Sequence, residues 1–284
     1  MPDSNTSEVS FVHADGIRLC VERAGQGPQV LCLPALGHDA RDFDGLGLLL
    51  GPGFEIIRIE WPGQGRSGAD SHPASAQRYA ALLADLAPNL GLKNPIVIGN
   101  SIGGAAAIHF ASRQTVRALV LCNSGGLIAV GKDARIFCAL FEKFFAAGER
   151  GAFWYGAAFA LYYRFVLITH AAGAQRSRIV ASARRLAPIF REAWASFGRP
   201  DADLRQLVTQ LDVPIWVAWA RRDKIIPLSR CLATINAMKK SSLTLFQAGH
   251  AAFLEQPQAF AREFQRFVHT LEPVATDAAG SVPA

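Results

Sequence analysis

The sequence lacks the features that mark a disulfide-rich or exported protein. Its five cysteines are odd in number and scattered, with no Cys-x-x-Cys pair among them. Cys32 and Cys122 lie in apolar runs, where an unpaired thiol behaves as a small core side chain. Residues 1–10 have no basic start and no apolar run, so they do not look like a secretory signal. We therefore expect reduced cysteines and a cytoplasmic protein.

A long apolar run is also missing. The longest one, residues 152–163, is interrupted by Arg164 and resumes over residues 165–169. A helix that spans a bilayer needs roughly 20 apolar residues with few charges, so we expect a lipophilic helix and no membrane span. The 284 residues, half of them apolar, are enough for one large α/β domain or two small ones.

The basic excess of the chain lies in one segment. Residues 126–200 contain eleven Lys or Arg and four Asp or Glu, a balance of +7, whereas the whole chain carries a net charge of +6. Most of these arginines are expected on a solvated face, but one of them, such as Arg164 or Arg191, could hold a substrate carboxylate through paired hydrogen bonds. No nucleic-acid-binding motif accompanies the charge, so we expect no nucleic-acid partner.

Short apolar strands alternate with helical patterns along most of the chain. We predict a hairpin over 10–24, further strands over 30–33, 55–59, 96–100, 116–122, 213–220 and 242–246, and helices over 75–91 and 257–271. This alternation predicts a mostly parallel sheet with helices on both faces. Functional sites in such sheets collect at the carboxyl ends of the strands.

The segment after Gly125 breaks this alternation. Roughly ninety residues with helical patterning separate two predicted strands, which is too long for a simple crossover. We expect residues 126–200 to form a helical lid over the strand ends. Residues 1–125 and 201–272 would then form the core domain. Residues 273–284 are rich in Ala, Gly, Pro and Ser, and we expect a disordered tail.

Residues 96–107 have the pattern of a nucleophile elbow. A β-branched run ends at Gly99-Asn100-Ser101-Ile102-Gly103, and an Ala-rich helical segment follows. A serine on such a strand-to-helix turn needs very small residues two positions before and two positions after it, because these positions come close together. Gly99 and Gly103 meet that need.

A serine hydroxyl needs a base, and the base needs a carboxylate that fixes its tautomer. Asp223 and His250 each follow a predicted strand, in the order Ser101, Asp223, His250. Asn123 follows another strand but cannot carry a negative charge, so Asp223 is the predicted acid.

The chain now resembles the α/β-hydrolase-fold superfamily, in the lid-bearing serine hydrolase branch of esterases, lactonases and C–C hydrolases. The resemblance covers about residues 10–271. It rests on the elbow, on Asp223 with Pro227, on Gly249-His250 with Glu255 and Pro257, and on Pro62-Gly63-Gln64-Gly65-Arg66-Ser67. It implies an eight-stranded sheet and chemistry that uses neither a metal nor an organic cofactor.

The resemblance also implies an oxyanion hole made of two backbone N–H groups. One belongs to Ile102, the residue after the nucleophile. The other belongs to Leu36, in a loop where the family usually has His-Gly-x and this chain has Pro34-Ala35-Leu36. The departure leaves the donor intact, because every residue except proline has a backbone N–H.

We therefore predict a serine hydrolase that cleaves a carboxylic ester through an acyl-enzyme. C–C bond hydrolases of ring-cleavage products share the Gly-Asn-Ser-x-Gly-Gly pattern, but they carry Trp where this chain has Ala251. Enol-lactonases share the loop Leu36-Gly37-His38-Asp39 in similar form. A non-catalytic binding protein of the same fold is the alternative from a different class.

The expected substrate is a small molecule with an apolar acyl group, and an anionic end is one option. The candidate substrate contacts are His38, Trp61, Asn100, Arg164 and Arg191. The sequence leaves a homodimer open.

Overall fold

The computed structural model describes residues 7–271, and the predicted tail over 273–284 lies outside them. Eight strands form one sheet in the order β1-β2-β4-β3-β5-β6-β7-β8. They are β1 (Glu8–Ala14), β2 (Ile17–Ala24), β3 (Gln29–Leu33), β4 (Glu55–Ile59), β5 (Ile96–Asn100), β6 (Ala118–Cys122), β7 (Ile215–Ala220) and β8 (Ser241–Phe246). Strand β2 runs antiparallel to β1 and β4, and the other neighbours are parallel. The predicted eight-stranded, mostly parallel sheet is confirmed.

The central strands are apolar because helices cover the sheet. Every residue of β5, β6 and β7 is buried, as expected for strands with both faces covered. The helices outside residues 126–200 are α1 (Asp44–Leu50), α2 (Ala76–Asn89), α3 (Ile102–Ala111), α8 (Arg205–Gln210), α9 (Leu228–Ala237), α10 (Ala252–Glu255) and α11 (Pro257–His269). Helix α2 packs against α3, and α1 packs against α11.

One strand starts later than predicted for a simple chemical reason. Strand β7 begins at Ile215 rather than at Val213. Pro214 has no N–H to donate to a neighbouring strand, so the ladder starts after it.

The buried, unpaired state of Cys32 and Cys122 agrees with their interpretation as core residues.

Four helices lie within residues 126–200, where we predicted the lid. They are α4 (Lys132–Glu149), α5 (Tyr155–Val166), α6 (Gly173–Ala181) and α7 (Ala183–Phe197). We call residues 126–200 the insertion. It has an aromatic core of its own, in which Phe145, Tyr155 and Phe159 are fully buried. Within residues 7–271, none of the helices is both long and apolar enough to cross a bilayer.

Candidate active site

Ser101 sits on a sharp turn between β5 and α3. Its φ of 56° and ψ of −118° lie outside the regions that L-residues favour, and such strain is typical of a nucleophile held clear of its sheet. The Ser101 carbonyl accepts hydrogen bonds from the N–H groups of Gly104 (3.0 Å), Ala105 (3.2 Å) and Gly125 (2.9 Å). These contacts hold the strained turn in place.

The small residues around Ser101 are required by close backbone approach. A Cβ added to Gly99 would lie 2.5 Å from the Gly103 carbonyl oxygen. A Cβ on Gly103 would overlap the Leu33 carbonyl, and one on Gly104 would overlap the Ser124 side chain. The predicted need for very small residues at positions 99 and 103 is therefore confirmed.

Asp223 and His250 come together at the carboxyl ends of β7 and β8. The His250 Nδ1 lies 2.8 Å from Asp223 Oδ2. The Asp223 Oδ1 accepts hydrogen bonds from the amides of Ile225 (2.7 Å) and Ile226 (3.1 Å). These backbone donors stabilise the carboxylate without neutralising its charge.

Asn123 also serves the Asp223 carboxylate. Its Nδ2 donates to Asp223 Oδ2 over 2.6 Å, and its Oδ1 accepts from the Ala220 amide over 2.9 Å. Sequence reasoning rejected Asn123 as the acid and assigned it no other role. Its place after β6, beside the strand that leads to Asp223, was the available signal.

The pKa of His250 is raised above its ordinary value of 6.5. Burial alone would lower this pKa, because it penalises the charged ring. The charge of Asp223, its hydrogen bond and the charge of Glu255 together outweigh burial. The ring is thus stabilised as the imidazolium that a general base becomes when it takes a proton.

Glu255 joins the loop of His250 to the insertion. Its Oε1 accepts the amides of residues 249–251, at 2.8, 3.0 and 3.4 Å. Its Oε2 accepts the amides of Ile168 (2.9 Å) and Thr169 (3.0 Å), between α5 and α6. This carboxylate is only 4% exposed, so one buried side chain fixes both segments.

The loop predicted to supply an oxyanion donor is held from several sides. The Trp61 Nε1 donates to the Pro34 carbonyl over 2.8 Å, and the Tyr163 hydroxyl donates to the Leu36 carbonyl over 3.2 Å. Within residues 7–271, neither the Leu36 N–H nor the Ile102 N–H has a hydrogen-bond acceptor. Two unpaired N–H groups beside a nucleophile are what an oxyanion needs.

Ser101 and His250 line one cavity of about 230 Å³. Leu36, Ile102 and His38 line it as well. No hydrogen bond joins Ser101 Oγ to His250 among the described residues, and such bonds are often long before a substrate is bound. The insertion supplies most of the aromatic wall, through Phe137, Tyr162, Tyr163, Phe190, Trp194 and Phe197.

The cavity also extends along α3. Ile102, Ala105 and His109 line it from one face of this helix. Eight residues separate Ser101 from His109, which corresponds to about 12 Å along the helix axis. The walls leave room for an apolar chain that starts at Ser101.

His38, which lines the same cavity, forms a second histidine–aspartate pair. Its Nδ1 contacts Asp42, and both residues are 2% exposed. Arg178 of α6 donates to Asp42 over 3.1 Å and to Asp39 over 3.2 Å. Among residues 7–271 the other ring nitrogen of His38, Nε2, has no hydrogen-bond partner.

Two predicted substrate contacts lie in the core instead. Trp61 is fully buried and stacks on Tyr79 with 4.4 Å between ring centroids. Asn100 is fully buried, and its Nδ2 donates to the carbonyls of Cys122 (2.9 Å) and His250 (3.0 Å). Both residues therefore support the site from behind: Trp61 holds the oxyanion loop and Asn100 holds the histidine loop.

The two predicted arginines also lie away from the cavity. Arg164 is exposed on α5. Arg191 pairs with Glu149 over 2.5 Å. The cations that line the cavity are instead Lys224 and Arg230, which sequence reasoning missed because their direction depends on how the loop after β7 meets α9.

The described residues contain no group of three or more His, Cys, Asp or Glu side chains placed to hold a metal ion.

The sheet, the elbow and the order of the site residues define an α/β-hydrolase architecture. The chain matches the alpha/beta hydrolase family over residues 30–263, and it belongs to that family. This confirms the resemblance seen in the sequence and the predicted class of enzyme.

The chain is also similar to particular proteins. It is 29% identical to an uncharacterized protein of Mycobacterium tuberculosis, over 95% of this chain and 84% of that protein. It is 27% identical to a pimeloyl-[acyl-carrier protein] methyl ester esterase of Xanthomonas campestris, over 88% and 99% of the two chains. The solved structure of an esterase from Exiguobacterium antarcticum superposes with a TM-score of 0.78 at 18% identity, covering 92% of this chain and 99% of that one.

Proposed function

We propose that the protein is a serine hydrolase that cleaves carboxylic esters. The observation that carries this proposal is the strained Ser101 in one cavity with His250, whose Nδ1 is paired with Asp223. The similarity to a methyl ester esterase favours an ester over other acyl substrates.

In this mechanism Ser101 Oγ attacks the ester carbonyl while His250 Nε2 takes its proton. The Asp223 carboxylate holds the Nδ1–H tautomer, so that Nε2 has its lone pair free. The N–H groups of Leu36 and Ile102 stabilise the tetrahedral oxyanion. His250 then protonates the departing alcohol, and a water activated by the same ring releases the acid.

A fluorophosphonate probe tests the proposal directly. We expect one adduct at Ser101 by peptide mass spectrometry, and none in Ser101→Ala. Ser112→Ala, which changes a hydroxyl outside the cavity, should label like the wild type. Failure of the folded wild type to react with a small fluorophosphonate would reject the activated serine and favour a binding protein.

The shape of the cavity favours an acyl chain of medium length. The apolar lining beside α3 extends for about 12 Å beyond Ser101, and burying each added methylene is worth about 0.8 kcal/mol. We expect kcat/KM for p-nitrophenyl esters to rise from acetate to hexanoate. A maximum at acetate would contradict an acyl pocket along this helix.

The charges at the cavity favour an anionic end on the substrate. Lys224 and Arg230 line the cavity, and none of the Asp or Glu residues within 7–271 does. We expect Lys224→Gln with Arg230→Gln to raise KM for monomethyl adipate several-fold and to leave methyl hexanoate unchanged, since exposed ion pairs are worth up to about 1 kcal/mol each. Arg164→Gln, which removes an exposed arginine outside the cavity, is the matched control. Equal losses on both esters would argue against recognition of an anion.

A further inference from the structure

The insertion carries an unusual share of the exposed apolar surface. Among residues 7–271, thirteen large apolar side chains are exposed, and seven of them lie in the insertion. Phe153 is the most exposed of all, at 92%. A contiguous apolar patch on a protein surface marks a contact with a partner or a membrane.

Four of these side chains lie at one corner and along one helix. Gly151 turns the chain after α4 with a φ of 80°, and Phe153 and Trp154 follow directly. Trp154, Leu161 and Phe165 are seven and four residues apart, so they share one face of α5 over about 16 Å. We call Phe153, Trp154, Leu161 and Phe165 the α5 edge.

Positive charges accompany the α5 edge. Arg150 precedes the corner, Arg164 lies beside Phe165, and the Arg184 guanidinium lies 3.7 Å from where a Cβ of Gly151 would be. All three arginines are exposed. None of them forms an ion pair with a carboxylate in the described part of the chain.

The combination of exposed apolar side chains and nearby arginines favours one kind of partner over another. A second copy of the chain would bring one basic surface against another, and the insertion carries a balance of +7. An anionic lipid surface attracts Lys and Arg side chains that lie close to it. Aromatic side chains at the tip of a corner match the headgroup level of a bilayer, where Trp is enriched.

We propose that the α5 edge docks on the surface of an anionic phospholipid bilayer. Phe153 and Trp154 enter the boundary between headgroups and acyl chains, while Arg150 and Arg164 contact lipid phosphates. Docking of this kind is peripheral. Tyr162, Tyr163 and Val166 line the cavity from the same helix, so docking brings the cavity to the membrane. The proposal stands independently of the ester chemistry.

Vesicle co-sedimentation of the full chain tests it. We expect binding to phosphatidylcholine vesicles that contain phosphatidylglycerol, much weaker binding to phosphatidylcholine alone, and loss of binding at high salt. Phe153→Ser should weaken binding at least tenfold, because the variant no longer buries a large apolar side chain in the lipid. Leu48→Ser is the matched control, because Leu48 is an apolar side chain of α1 that is 65% exposed and lies outside the insertion.

A second readout identifies the side chains that enter the lipid. The other four tryptophans are buried, so a blue shift of tryptophan fluorescence on binding that disappears in Trp154→Phe supports insertion of this corner. No binding to anionic vesicles, or equal losses in Phe153→Ser and Leu48→Ser, would overturn the proposal. A homodimer in light scattering that Phe153→Ser dissociates would instead assign the α5 edge to a second copy.

Discussion

The histidines of two histidine–aspartate pairs line the same cavity, and the two pairs differ in the groups around the carboxylate. Asp223 is bonded by an asparagine side chain and two backbone amides, all neutral donors. Asp42 shares its carboxylate with the Arg178 guanidinium. Neutral donors leave the charge of Asp223 available to His250, whereas a cation offsets the charge of Asp42.

The two pairs also differ in how they reach the cavity. Asp223 and His250 follow separate strands and meet only in the folded sheet. His38 and Asp42 are four residues apart across a 3-10 turn, residues 40–43, that starts beside the oxyanion loop. We infer that the first pair performs the proton transfer and that the second holds the His38 ring in place, with Nε2 as the ring nitrogen left for the cavity.

We expect the largest effect from a substitution that disrupts the pair of Asp223 with His250 and leaves the pair of His38 with Asp42 intact. Asp223→Asn replaces the acceptor for His250 Nδ1–H and favours the wrong tautomer, so kcat should fall on the order of 10³–10⁴-fold. Asp42→Asn should cost less than about tenfold, because its histidine transfers no proton in the proposed mechanism. Initial rates on a p-nitrophenyl ester, with thermal unfolding to verify both folds, measure the difference. Losses of equal size would refute the division of roles.

The first pair, Asp223 with His250, could be predicted from the sequence. The elbow is a local pattern of strand, glycines and helix, and Asp223 and His250 each follow a strand. The sequence could not show that Trp61 is buried in the core rather than exposed to the cavity. An aromatic residue beside a loop has the same sequence pattern in both cases. The pairing of His38 with Asp42 depends on a short turn that the apolar pattern does not encode.

The sequence predicted that the insertion is helical, but it did not predict which side chains lie on its surface. Its helical patterning and length predicted a helical lid, and residues 126–200 contain the four helices α4 to α7. Which aromatic residues face the cavity, the aromatic core or the solvent depends on how the four helices pack together. For that reason the sequence did not show that Arg164 and Arg191 lie outside the cavity, whereas Lys224 and Arg230 line it from the core domain.

An intermediate effect concerns the pH dependence that the first pair sets. His250 must be neutral to accept the Ser101 proton, and its pKa is raised above 6.5, after burial is outweighed by Asp223 and Glu255. We therefore expect kcat/KM to fall on the acid side with a midpoint above pH 6.5. Glu255→Gln removes a negative charge that raises this pKa, so the midpoint should move to lower pH.

The same variant separates charge from architecture. Glu255→Gln also places an amide among five N–H groups, which should reduce kcat at every pH. Glu263→Gln, a change at the surface of α11, should leave both the midpoint and kcat unchanged. A reduced kcat with an unmoved midpoint would show that Glu255 only shapes the loop and does not act on His250 electrostatically.

The smallest effect tests the second pair as a substrate contact. The Nδ1 of His38 contacts Asp42, so Nε2 is the ring nitrogen left for the cavity, and a substrate hydroxyl near the scissile carbonyl should form a hydrogen bond with it. In His38→Asn the side-chain amide can replace Nδ1 but nothing replaces Nε2. We expect kcat/KM to fall about 2- to 12-fold for methyl 3-hydroxyhexanoate, the value of one hydrogen bond of 0.5–1.5 kcal/mol, and to stay unchanged for methyl hexanoate. His38→Gln, whose amide reaches toward the place of Nε2, should recover part of the loss. If both esters lose equally in both variants, His38 supports the oxyanion loop through Asp42 and does not contact the substrate.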